Sequence, residues 1–184
     1  MANMRIHKAI EFATLKHQGQ KRKGTDIPYI VHPMEVMQIL TANGCEEDVV
    51  IAGILHDTLE DTATEREELV EIFGERVATL VASESEDKSK SWEERKQTTI
   101  DRLATCEEEV AICALADKLS NLRSIYYDYQ KIGDEVWSRF MRGKEKVRWY
   151  YISIGEATAR LREKPVWQEY ASLVKETFDK ELKD

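Results

Sequence analysis

A chain of 184 residues with 42% hydrophobic side chains can bury about 70% of the surface its unfolded form exposes, so a single globular domain needs no covalent staples. Three cysteines, Cys45, Cys106 and Cys113, are odd in number and show no C-x-x-C spacing, which argues against a disulfide framework and a zinc knuckle. A net charge of −8 disfavours general attraction to nucleic acid, so an anionic ligand has to be held by local positive charge.

Only eight glycines and three prolines interrupt the chain, and apolar residues recur at spacings of three and four, which predicts an all-α fold. The opening MANMRIHKAIEFA has no apolar stretch of the signal-peptide kind. No window approaches the ~20 apolar residues of a membrane span, so a soluble, cytoplasmic protein is expected. The first helix is predicted over 3–17. The polar, lysine-rich stretch 18–31 (QGQKRKGTDIPYIV) then reads as a loop over a site. Helices at 33–43 and 46–60 follow, the first preceded by His32 and the second running into AGILHDTLEDT, residues 52–62. Further helices are predicted over 64–73 and 74–84, with EREELVE at 65–71 as an exposed, charge-paired face. A second lysine-containing loop at 85–91 leads to helices over 91–105, 107–127, 133–162 and 165–182. Trp149, Tyr150, Ile152, Ile154 and Leu161 read as a core-facing stripe, as do Met34 and Met37. His7 and His17 read as structural or solvent-exposed.

The chemistry concentrates in residues 52–62, where His56 and Asp57 are followed one turn later by Glu60 and Asp61. Residues four apart share one helical face, so Glu60 falls above His56 and Asp61 above Asp57, with neighbours about 100° apart able to converge on one ion. Acidic groups this close repel one another unless a cation offsets them. Asp117 stands in the otherwise apolar run ALADKLSNLRS, with Asn121 one turn on, and a carboxylate there needs a partner. Together His32, His56, Asp57 and Asp117 would present two imidazoles and two carboxylates, a donor set suited to manganese or iron ahead of zinc.

HP at 32–33, LHD at 55–57, ED at 60–61 and LADKLSN at 115–121 resemble the HD-domain phosphohydrolases. RKGTDIPYIVHP and LHDTLEDT resemble the alarmone-hydrolase branch of RelA/SpoT type, above all its small standalone members, the metazoan SpoT homologues. The resemblance covers about residues 3–130 and implies one HD-type helical domain over 1–184, with C-terminal helices over 133–182. It implies a manganese ion held by His32, His56, Asp57 and Asp117, and a catalytic pair in Glu60 and Asp61. The implied reaction removes the 3′-pyrophosphate of guanosine tetraphosphate or pentaphosphate, and the length leaves no room for the synthetase domain of larger relatives. Arg22 and Lys23 would lie along the nucleotide with Tyr29 near them, and Asn121 resembles a residue near the ribose. Arg142, Lys146 and Arg148 are further candidates for phosphate contacts. Ser120, where relatives commonly carry histidine or tyrosine, and ASESEDKS at 82–89 depart from the family pattern. The competing enzyme reading keeps the metal and changes the substrate to a nucleoside monophosphate, an adenosine alarmone or the 2′-phosphate of NADPH. The partner expected is a small-molecule nucleotide, not nucleic acid or membrane, and the sequence leaves a homo-oligomer open.

Overall fold

The structure, a computed structural model, describes residues 4–179 and residue 182. These residues are helical in every regular element longer than an isolated bridge, as the three-and-four spacing requires. Two units are distinguished, Met1–Asp87 and Lys88–Asp184.

The first unit holds α1 (Met4–Lys16), α2 (Val31–Ala42), α3 (Glu47–Leu55), α4 (Thr58–Asp61), α5 (Arg66–Phe73) and α6 (Glu75–Glu84). Every residue of α3 from Val49 to Leu55 is buried, as expected of a helix apolar all round. It serves as the hub, packed by α1, α2 and α6. The predicted helix 46–60 begins at Glu47, stops at Leu55 and resumes for one turn at Thr58. The connection from α1 to α2 is folded back on itself. An isolated antiparallel bridge joins Lys21 and Pro28, the Arg22 N–H donates to the Ile27 carbonyl at 2.8 Å and the Tyr29 N–H to the Gln20 carbonyl at 2.9 Å.

The second unit holds α7 (Trp92–Thr105), α8 (Glu108–Ile132), α9 (Gly143–Ala157) and α10 (Pro165–Phe178), with 3-10 segments at Gly133–Arg139 and Ala159–Leu161. Ser91 and Glu94 cap α7 reciprocally, each side chain bonding the other's backbone N–H. The predicted helix 133–162 is broken, and the preceding one runs on to Ile132. Gly133, at φ +58°, ends α8 in a conformation that residues with a β-carbon rarely adopt. The adjacent Val136 and Trp137 are both buried, and Trp137 packs on Tyr129, Phe140 and Phe178. Along the later stripe Tyr150, Tyr151, Ile154 and Leu161 are buried, whereas Trp149 and Ile152 are partly exposed. The buried Trp167 indole donates to the Gly155 carbonyl at 3.0 Å and the Tyr170 hydroxyl to the Tyr151 carbonyl at 2.8 Å. Those bonds leave the polar tips of two large core side chains satisfied.

Candidate metal centre

His32 lies in the first turn of α2, followed by Pro33 where the missing N–H breaks no helical bond. His56 and Asp57 form the two-residue joint between α3 and α4. The two segments meet because α2 packs closely on α3 at Gly53, where a β-carbon would come within 2.2 Å of Leu40 Cδ1. His32 Nε2 and His56 Nε2 are then 3.1 Å apart. Asp57 Oδ2 lies 2.9 Å from His56 Nε2 and 3.6 Å from His32 Nε2. Both imidazoles are buried and Asp57 is half-buried.

His56 Nδ1 donates to the Gly53 carbonyl at 2.8 Å. That bond puts the proton on Nδ1 and leaves the Nε2 lone pair facing Asp57 and His32. A lone pair 2.9 Å from a carboxylate oxygen is repelled by it unless a cation is shared between them. At 3.1 Å apart the two nitrogens could both reach one ion at ordinary metal–imidazole lengths of about 2.0–2.1 Å. One donor atom each from His32, His56 and Asp57 falls within 4.8 Å of the others. Imidazole nitrogen and carboxylate oxygen without thiolate fit a divalent ion of the first transition row.

Around this trio, the Tyr29 hydroxyl donates to Asp57 Oδ2. The Arg22 guanidinium lies over the Tyr29 ring, 5.7 Å from its centroid, which places the half-buried Arg22 beside the cluster, and Lys23 next to it is exposed. Glu60 is half-buried and Asp61 exposed. Across the helix break the Asp61 N–H donates to the Asp57 carbonyl at 2.9 Å.

The remaining predicted residues lie in the second unit. Asp117 is buried in α8, its carboxylate accepting from Asn121 Nδ2 at 2.6 Å and from the Lys118 ammonium. Two partners of this carboxylate thus lie in its own helix, and Lys118 was not singled out from the sequence. Arg142 and Lys146 are exposed and sit 3.6 Å and 3.8 Å from Glu93. Gln20 of the first unit also went unread, and the two histidines read as structural or solvent-exposed part company. Gln20 Nε2 donates to the Asp61 carbonyl at 2.8 Å, and His17 is buried against Tyr29, whereas His7 is exposed.

A family profile described as HD domain matches residues 9–143, a span that includes His32, His56, Asp57 and Asp117. The guanosine-3′,5′-bis(diphosphate) 3′-pyrophosphohydrolase MESH1 of Danio rerio is 38% identical over 143 residues, covering 76% of this chain and 77% of that protein. The 1.85 Å crystal structure of lmo0812 from Listeria monocytogenes EGD-e is similar at TM-score 0.77 and 42% identity, covering 81% of this chain and 99% of that one. A solved structure of a metazoan orthologue of SpoT, described as hydrolysing ppGpp, is similar at TM-score 0.79 and 27% identity over 97% of this chain and 98% of its own. With the HD-domain profile matching well over half of its length and a relative 38% identical across most of both chains, the chain belongs to the HD-domain family.

Proposed function

We propose that the protein is a manganese-dependent hydrolase that removes the 3′-pyrophosphate of guanosine tetraphosphate or pentaphosphate, yielding GDP or GTP and pyrophosphate. Membership of the HD family and the 3′-pyrophosphohydrolase relatives support a metal-dependent phosphohydrolase acting on ppGpp. The observation that carries the reading is the meeting of His32 Nε2, His56 Nε2 and Asp57 Oδ2, with the His56 tautomer set by the Gly53 carbonyl. His32, His56 and Asp57 would hold the ion, and the family pattern adds Asp117 as a fourth ligand. A bound divalent ion lowers the pKa of a coordinated water and offsets charge building up on a phosphoryl oxygen.

The rest of the chemistry falls to the side chains. Arg22 offers a planar fork and Lys23 a point charge to the phosphates. The Glu60 and Asp61 carboxylates orient the attacking water and accept its proton, a contribution of ~10²–10⁴-fold for a positioned general base. Water adds to the phosphorus bonded to the ribose 3′ oxygen, the P–O3′ bond breaks, and a proton passes to O3′ as pyrophosphate leaves. Asn121, Arg142 and Lys146 are proposed as weaker substrate contacts. Residues 1–184 are taken as one HD-type module working in the cytoplasm. In keeping with that setting, no helix among the described residues is long and apolar enough to cross a membrane.

Purified, manganese-loaded protein mixed with guanosine tetraphosphate should release pyrophosphate and GDP in equal amounts. Orthophosphate in place of pyrophosphate would point to the other HD phosphohydrolase chemistries, and absence of turnover would overturn the assignment.

A further inference from the structure

One buried imidazole has no part in the reaction above. His17, directly after α1, is only 2% exposed. Its Nδ1 lies 2.7 Å from Gln20 Oε1, and Gln20 Nε2 donates to the Asp61 carbonyl at 2.8 Å. Because the Gln20 amide nitrogen already donates to a carbonyl, its oxygen accepts, and the proton sits on His17 Nδ1. The Gln20 backbone is tied into the same turn, its N–H donating to the His17 carbonyl at 3.0 Å and its carbonyl accepting from the Tyr29 N–H at 2.9 Å. The His17 ring lies against Tyr29 with centroids 4.9 Å apart and planes inclined by 36°. Tyr29 in turn donates to Asp57 Oδ2. Two routes therefore leave His17, one through Tyr29 to a metal-ligand carboxylate and one through Gln20 to the last residue of α4.

The other ring nitrogen, Nε2, is buried without a hydrogen-bond partner in the protein. An unmatched buried acceptor destabilises the fold. A phenyl ring would fill the same space and keep the contact with Tyr29 without that penalty, so packing alone does not select histidine here. What the imidazole adds is the Nδ1–H bond to Gln20, and through it a hold on Asp61.

We propose that His17 and Gln20 are positioning residues of this site, His17 holding Tyr29 against Asp57 while Gln20 fixes the end of α4 that carries Glu60 and Asp61. The proposal rests on the metal-dependent hydrolase reading above. Its test combines thermal melting, manganese titration of metal-free protein and steady-state kinetics with guanosine tetraphosphate. His17→Phe should melt at or above the wild-type temperature and bind manganese within about twofold of wild type, yet lose kcat by ~10-fold or more with KM little changed. His17→Ala loses both routes, so manganese affinity should fall ~10-fold, in the range typical of outer partners of metal ligands. In a Tyr29→Phe background that loss should vanish, because both substitutions act through one contact. A His17→Phe protein with wild-type kcat would overturn the proposal. So would His17→Ala and Tyr29→Phe effects on manganese affinity that simply add. Should wild-type protein fail to turn over the nucleotide, the proposed reaction fails, whereas the manganese cycle still decides the role of His17.

Discussion

Replacing Gly53 by alanine tests the helix contact that sets the distance between His32 and His56. The new β-carbon would lie 2.2 Å from Leu40 Cδ1 and 3.1 Å from Val36 Cγ1, where carbon atoms normally approach to about 3.5–4.0 Å. Leu40 and Val36 are fully buried, so either the Leu40 methyl turns within a filled core or α2 shifts, and both carry a cost. Overpacking of this kind destabilises by about 1–3 kcal/mol, and alanine in a helix interior recovers about 1 kcal/mol relative to glycine. A clash this deep belongs at the upper end of the first range, which leaves a net loss of about 1–2 kcal/mol. For a chain of this size that is a fall in Tm of about 2–8 °C. Because α2 carries His32 and the Gly53 carbonyl orients His56, manganese affinity should fall together with Tm. Melting of metal-free protein and a manganese titration measure both. Leu40→Val in the same background shortens the obstructing side chain and should restore part of each loss. A Gly53→Ala protein that melts above wild type would show that helix propensity, not the clash with Leu40, decides the outcome.

Glu60→Gln should keep wild-type manganese content while turnover falls ~10²-fold or more, as expected for loss of a general base, whereas Asp57→Ala should lose metal and turnover together; elemental analysis beside a turnover assay separates them. Arg22→Ala should raise KM several-fold with kcat unchanged if its phosphate contact is equal in the ground and transition states, and a change confined to kcat would contradict that role. The Glu94 carboxyl is held below its ordinary range by the Ser91 hydroxyl and then by the Ser91 backbone N–H. A lowered folded-state pKa contributes stability that is complete above the ordinary glutamate value and is lost as pH falls through the lowered one. NMR titration of Ser91→Ala should show Glu94 moving back up toward the ordinary value, and an unchanged titration would contradict the cap.

What was legible in the sequence follows from the range of the interactions. His56 and Asp57 are adjacent and His32 sits beside a proline at a helix start, so local pattern pointed to all three, and the structure brings their donor atoms together. The break after Leu55 was hidden because His56 and Asp57 keep near-helical backbone angles, φ −53° and −92°, and hydrophobic periodicity runs through such a joint undisturbed. The Tyr29 bond to Asp57 spans 28 residues and the Gln20 bond to Asp61 spans 41, separations at which no spacing rule operates. The burial of His17 depends on the fold of the loop after α1, so its ring could not be told from an exposed one. The break of the predicted 133–162 helix had a local signal in Gly133, but its cause is tertiary, the demand to bury Val136 and Trp137 side by side.

The proposed function requires one divalent ion on His32, His56 and Asp57, and the family resemblance adds Asp117 to them. Manganese titration of metal-free wild-type, His32→Ala and Asp117→Ala proteins, each shown to be folded by its melting curve, tests it most directly. One ion per chain is expected in the wild type, with a loss of affinity of ~10-fold or more in both variants. Wild-type affinity in either variant would contradict it.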